Sequence, residues 1–295
     1  MCVESAAAIQ RDYQWCRTVA RSHYENFPVA SWVMPRRLRE PVAAIYAFAR
    51  TADDIADRGS LSKPERLERL AVMESALQTL HDSAPSRSRL YPALADTIER
   101  YQLPLAPFQD LLSACRQDLE KTRYANFGEL RDYCQRSARP VGRLLLQLTG
   151  TASARNVALS DAVCSALQLI NFLQDIAPDY RNNGRIYLPQ DEMQRFGVTE
   201  RDIAASRNSP RLSGLFHFQR QRAAQLLRSG SPLGRRLGGR FGFEIRLVIL
   251  SGARVVEKLR KQQDIFAVPR LHTFDRIRII SGACIPGTRR SADPL

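Results

Sequence analysis

Apolar residues recur at three- and four-residue intervals along nearly the whole chain, the spacing of helices that bury one face. Leu67–Leu80 repeats this pattern. So do Leu111, Leu112, Cys115 and Leu119, then Leu144, Leu145 and Leu148, then Val163, Leu167, Ile170 and Leu173. Ala43, Ala44, Tyr46, Ala47 and Ala49 stand in a segment of strong helix formers. Breaks are predicted at Gly59–Ser60, Ser83–Ser86, Gln102–Pro107, Gly150–Ser153, Asn182–Gly184 and Ser206–Pro210, where glycine, proline and small polar residues cluster. Convincing period-two strands, a fixed repeat and a low-complexity linker are all absent. The pattern predicts one all-α domain: a lead-in helix over 1–20, a main body over 21–261 and a looser basic tail over 262–295.

Composition narrows the class. The chain has 295 residues, 44% of them hydrophobic and 25% charged, which is ample core material for a folded domain. The richest apolar runs, Val42–Ala49 and Leu247–Leu250, fall short of the ~20 residues of a membrane-spanning helix. Glu4, Arg11 and Asp12 occupy the place of a leader's apolar core, so no secretory leader is expected. Six scattered cysteines without a C-x-x-C pair read as reduced thiols in a cytoplasmic protein, and four isolated histidines offer no transition-metal site. The net charge of +14 fits either a solvated arginine-rich surface or an anionic partner. Without an RNP-like motif, a zinc finger or a basic heptad region, nucleic acid is not the expected partner. Gly234–Gly242 reads as a loop, since no strand precedes it, and Trp15 and Trp32 read as core anchors.

Candidate chemistry enters with the aspartates. Asp53 and Asp57 are i,i+4 neighbours on a helix, with Arg50 one turn earlier on the same side. Carboxylates repel at that spacing, so a bridging cation or plain solvation must explain the pair. Further on, Asn171, Asp175 and Asp179 fall at i, i+4 and i+8, one stripe of a helix whose neighbours Leu169, Ile170, Phe172 and Leu173 are apolar. Hard oxygen ligands in two clusters suit Mg²⁺, which takes one or two carboxylates together with phosphate oxygens, and so point to a polyphosphate substrate. Each cluster taken singly could instead serve a helix end. Pro178 requires the second helix to kink or end near Asp179.

The two aspartate segments, with His23–Trp32, Tyr46–Asp57, Gln117–Tyr124, Tyr133–Ala138, Pro140–Arg143 and Asn171–Pro189, resemble the squalene/phytoene synthase family from about His23 to Lys258. The Glu25–Val29 and Ser137–Gly142 stretches are most similar to its hydroxysqualene-forming branch in bacterial hopanoid pathways. The resemblance implies an isoprenoid synthase fold, a helical bundle around a central active-site cavity. It further implies Asp53, Asp57, Asn171, Asp175 and Asp179 as Mg²⁺ ligands, Arg50 and Arg185 on the diphosphate, and Tyr46, His23, Gln168 and Tyr187 against the substrate. Tyr133 and Arg136 take catalytic places, and Gln135, Arg136 and Gln168 are polarity-based candidates to position a water. The implied reaction is Mg²⁺-dependent ionisation of presqualene diphosphate and capture of the cation by water, with no nicotinamide cofactor. A presqualene diphosphate synthase is the implied pathway partner.

Some residues depart from the family's pattern. Gln135 and Arg136 stand where squalene-forming relatives carry aromatic or His residues, and Glu25 and Asn26 where condensing relatives have Lys and Ser. Both departures favour an enzyme that takes the ready-made cyclopropyl intermediate over one that condenses two prenyl diphosphates. Arg58, Arg139 and Pro178 are unusual within the hydroxysqualene branch. A non-catalytic scaffold is the reading from another class. The segment Arg254–Leu295 interleaves basic residues with Ile265, Phe266, Phe274 and Ile277–Ile280, a composition that suits equally a solvated tail or the inner face of an anionic membrane.

Overall fold

In a computed structural model that describes residues 2–22, 31–80 and 88–284, proline, glycine and capping side chains cut the chain into successive α-helices. The first five are α1 (Cys2–Ser22), α2 (Arg36–Asp57), α3 (Lys63–Gln78), α4 (Leu90–Tyr101) and α5 (Ala106–Glu120). Then come α6 (Phe127–Ser137), α7 (Arg139–Leu148), α8 (Ala154–Gln174), α9 (Ile176–Asn183) and α10 (Gln190–Phe196). The last are α11 (Glu200–Ala204), α12 (Pro210–Gly230), α13 (Leu233–Arg236), α14 (Gly239–Lys261) and α15 (Thr273–Cys284). No strand occurs among the described residues, in keeping with the all-α expectation. The helices group into two compact units: described residues within Met1–Glu120 and Pro140–Ser153, and within Lys121–Arg139 and Ala154–Leu295.

In the first unit α2 is the central helix, packed by α1, α3, α4 and α5. Its face of Ala43, Ala44, Ala47, Phe48 and Ala52 is buried, and Phe48 meets Phe108 of α5 edge to face at 5.3 Å. Pro41 inside α2 cannot donate to the carbonyl of Arg37, and the Tyr101 hydroxyl supplies that acceptor with its bond instead (3.0 Å). The far end of α2 is closed by Arg66, whose guanidinium donates to the carbonyls of Ile55, Ala56 and Gly59. Gly59 turns the chain at φ +83°, and a Ser62–Glu65 capping box opens α3.

In the second unit α8 lies along α12 and also meets α14, α6 and α13. The contact is close because α12 ends in Gly230 and α14 carries Gly252, each set directly against α8. By length and composition α8 is the described helix apolar enough to cross a membrane, contrary to the sequence expectation. Here its apolar surface packs on neighbouring helices. Buried Glu192 of α10 pairs with Arg222 of α12 at 2.5 Å, and that guanidinium also covers the Phe127 ring at 3.8 Å.

Other sequence readings change. Gly234–Gly242 is not a loop but the tight junction of α13 and α14: Gly238 and Gly239 take φ +60° and +51°. Gly234 and Gly242 let their backbones approach, for a Cβ on Gly242 would lie 2.8 Å from the Gly234 carbonyl oxygen. Trp15 packs on the core of the first unit, whereas Trp32 is 79% exposed and is not a core anchor. The five cysteines whose side chains are described form no disulfide with one another.

Within the segment read as a loose tail, α15 docks on α14 because Asp275 faces inward. Asp275 accepts from Arg254 at 2.6 Å, Lys258 at 2.9 Å and the His272 N–H at 2.9 Å. Burial alone would raise its pKa, but these three donors hold the carboxyl well below the usual carboxylate range. Its contribution to stability is therefore complete above the unfolded value of about 3.9 and is lost as the pH falls below it. Asp275→Asn is expected to cost about 2–3 kcal/mol at neutral pH, the low end for a broken buried pair because Arg254 and Lys258 keep some solvent. Denaturant titration of both proteins across the acid range checks this, with the gap between them closing toward low pH.

Candidate active site

The last two turns of α2 carry Asp53, Asp54 and Asp57, which puts three carboxylates at the negative end of a helix dipole. Dipole complementation therefore cannot explain them. Arg50 reaches Asp53 at 3.0 Å and Asp54 at 2.6 Å, and Arg58 reaches Asp54 at 3.1 Å. Loss of bulk water around Asp53 and the charge of Asp57 push its carboxyl up to about 7, with Arg50 opposing and Asp54 and Asp118 adding to the rise. The side chain still keeps 47% of its surface open, so an ion from solution can reach it. Tyr46 sits half-buried one turn before Arg50. Sequence reasoning missed Asp54 and Asp118. The first is the shortest partner of Arg50, and the second is brought near Asp53 only by the packing of α5 on α2.

The second cluster is in the other unit. Asn171, Asp175 and Asp179 do not share one uninterrupted helix: α8 ends at Gln174, and Asp175 (φ −109°, ψ 18°) is the N-cap of α9. Pro178 explains the break three residues before it. It cannot donate to Gln174, so a fresh helix begins in which Pro178 occupies the first turn, where no donor is needed. The bend is mild, since the Asp175 N–H still bonds the Asn171 carbonyl (2.9 Å) and the Asp179 N–H the Asp175 carbonyl (2.8 Å). Asp175 stands at the cap position, yet its carboxylate makes no capping bond, and burial raises its pKa. Asn171 is exposed, and Gln168, Asp175 and Asp179 are half-buried.

Gly184, at φ +63°, reverses the chain after α9 and delivers Arg185 beside Asp179, its N–H donating to the Asp179 carbonyl at 3.1 Å. Arg185 is 5% exposed and lines a narrow recess with Asp179, Phe172, Ile176 and Tyr187. The returning segment is pinned to 122–125: the N–H groups of Ile186 and Gln190 donate to the carbonyls of Thr122 and Tyr124. Arg123 clamps the same region by gripping Glu200 with two bonds of 2.7 Å and donating to the Gly184 carbonyl. That supporting role of Arg123 depends on partners far away in sequence.

Tyr187 stacks on Phe172 with centroids 3.9 Å apart, and Tyr133 and Tyr124 close the ring cluster. Tyr133 is thus buried among rings, and Arg136 lies half-buried in the last turn of α6. Gln135 is exposed and donates to Asp132 on its own helix (2.9 Å), a position that does not favour it as the water-positioning residue. Arg139 donates to Ser165 of α8 at 3.0 Å. His23, Glu25 and Asn26 lie outside the described residues. Among the described residues no three His, Cys, Asp or Glu side chains form a metal site by themselves.

The comparisons with known proteins identify the family. The squalene/phytoene synthase family model matches residues 20–278. A hydroxysqualene synthase from Rhodopseudomonas palustris is 38% identical over 237 residues, covering 80% of each chain. A phytoene synthase from Mycobacterium bovis is 34% identical over 219 residues, 73% of this chain and 71% of that one. Among solved structures, a squalene synthase from Alicyclobacillus acidocaldarius superposes with a TM-score of 0.78 at 35% identity, covering 86% of this chain and 95% of that one. With the all-α isoprenoid synthase architecture and both aspartate segments in place, this chain belongs to the squalene/phytoene synthase family and is an enzyme of isoprenoid biosynthesis.

Proposed function

We propose that this enzyme converts presqualene diphosphate to hydroxysqualene in a Mg²⁺-dependent reaction. The observation that carries the reading is the crowding of carboxylates at the end of α2. Loss of water first, and then the charge of Asp57, push the Asp53 carboxyl up to about 7, and a divalent cation would offset that crowded negative charge. The similarity to hydroxysqualene synthases selects the reaction within the family.

Asp53 and Asp57 would hold metal in the first unit, and Asn171, Asp175 and Asp179 would do so in the second. When bound, Mg²⁺ neutralises charge that builds on the departing diphosphate. Arg50 and Arg185 serve the same end as guanidinium donors to diphosphate oxygens. Partial burial of both arginines strengthens that attraction by removing competing water. In the reaction the bond from the cyclopropylcarbinyl carbon to the diphosphate oxygen breaks, and the electron pair leaves with the diphosphate. The carbocation rearranges, water adds through oxygen, and one proton is released. Atoms and electrons balance without a reductant, so the reaction needs no nicotinamide. Phe172 and Tyr187, which line the recess beside Asp179, are walls that would not attack a carbocation. Tyr46, Gln168, Arg136 and His23 remain the candidates for substrate contact, and an enzyme making presqualene diphosphate is the expected pathway partner.

Head-to-head condensation of two prenyl diphosphates is the second reading, favoured by the similarity to a phytoene synthase. Product analysis separates the two. Purified protein is given presqualene diphosphate and farnesyl diphosphate in separate tubes, with and without Mg²⁺. Hydroxysqualene is expected from the first substrate only, and only with Mg²⁺. Turnover of farnesyl diphosphate would establish the condensing reaction instead, and no product from either would direct attention to a scaffold role.

A further inference from the structure

Six large apolar side chains are prominently exposed among the described residues, and four of them, Val268, Phe274, Ile277 and Ile280, fall within thirteen consecutive positions in and just before α15. Scattered singly they would need no explanation; gathered on one ridge they mark an interaction surface. The helix is docked by its other side: Asp275, Ile279 and Ala283 are buried, and the paired Asp275 fixes it to α14. At about 100° per residue, Phe274, Ile277 and Ile280 form the outward stripe, and Arg276 and Arg278 flank it on either side, about 100° from Ile277. No acidic residue is on the exposed surface of α15. Beside the ridge an open groove of about 560 Å³ is bordered by Lys258, Lys261, Arg270 and His272.

We propose that this face of α15 is a membrane-docking surface: Phe274, Ile277 and Ile280 enter the headgroup boundary of an anionic bilayer, and the flanking cations meet lipid phosphates. The inference goes beyond the reaction proposed above and does not depend on it. An apolar stripe between two arginines is the arrangement of a helix lying in an interface. The arginine stems follow the apolar surface while their heads stay at the phosphate level. A second copy of the chain fits less well, since a two-fold contact would set Arg276 and Arg278 against their own counterparts. The groove provides the positive potential that draws the face to an anionic leaflet.

Vesicle sedimentation of the full-length protein tests it. Wild type is expected to sediment with phosphatidylcholine vesicles containing about 30 mol% phosphatidylglycerol and to remain in solution with phosphatidylcholine alone. The triple variant F274S/I277S/I280S should lose about tenfold or more in partitioning, and R276S/R278S a similar factor, with high salt weakening the wild type. All these side chains are exposed, so both variants should melt as the wild type does, which a thermal scan verifies. The proposal is overturned if wild type ignores both vesicles or if the triple variant binds as wild type does. It is overturned equally if excess inorganic phosphate abolishes binding at constant ionic strength, which would make the groove a free-anion site. A triple variant whose only change is in oligomeric state, read by light scattering, would make the ridge a subunit interface and refute membrane docking.

Discussion

Asp53→Asn is expected to cut Mg²⁺-dependent diphosphate release about a thousandfold while leaving the fold intact. The neutral amide keeps the shape of the carboxylate and removes one of the crowded charges at the end of α2. In the folded protein Asp53 has its pKa raised to about 7, first by loss of water and then by Asp57. A group whose folded value exceeds its unfolded value weakens the folded state progressively as the pH rises between the two. The metal-free variant should therefore melt no lower than wild type at neutral pH, and its advantage should grow from about pH 4 to about pH 7. A residue kept for stability would show the reverse. The same titration sets the metal dependence: below about pH 7 a proton competes with the cation for Asp53, so the Mg²⁺ concentration for half-maximal activity should fall as the pH is raised from 6 to 8. Full activity of the variant, or an unchanged Mg²⁺ requirement across that range, would remove Asp53 from the site.

Gly230→Ala is expected to cost about 2–3 kcal/mol and to lower activity through α8. A Cβ at Gly230 would lie 2.7 Å from the Leu159 carbonyl oxygen, 2.9 Å from the Val163 nitrogen and 2.6 Å from a Val163 methyl. Two of those atoms are backbone, so the helices must separate, and α8 carries Gln168, Asn171 and the approach to Asp175. Gly252→Ala is the comparison: its new Cβ meets the end of the Leu167 side chain at 2.7 Å, and a leucine rotamer can yield where a backbone cannot. The first variant should melt about 5 °C below wild type and the second within about 2 °C, for a chain of this size. Equal melting temperatures would mean that α8 and α12 adjust more freely than their packing indicates.

Much of the helical framework was legible in the residues. Gly59–Ser60, Gln102–Pro107, Gly150–Ser153, Asn182–Gly184 and Ser206–Pro210 each fall at or beside an observed helix end, because glycine and proline act through local backbone sterics that need no partner. Ser83–Ser86 lies outside the described residues. The spacing of Arg50, Asp53 and Asp57 was legible for the same reason, since i,i+3 and i,i+4 neighbours are set by helix geometry. Pro178 announced an interruption of the second cluster. Its position at Asp175 became visible only when the two helix ends could be assigned their hydrogen bonds.

The local code of the chain therefore determined the fold class, most helix boundaries and the two oxygen-rich segments, all of which depend on neighbours within about one helical turn. Long-range packing decided the rest. It brought Asp118 close enough to raise the proton affinity of Asp53, and it spent Arg123 on Glu200 and Gly184 to hold Arg185 beside Asp179. It buried Tyr133 among Tyr124, Phe172 and Tyr187, and exposed Trp32. It also turned an apparent basic tail into a docked helix, because one inward aspartate found two cations on α14. Partners far apart in sequence leave no period and no spacing in the chain. Their energies come from burial and proximity, which exist only once the chain has folded.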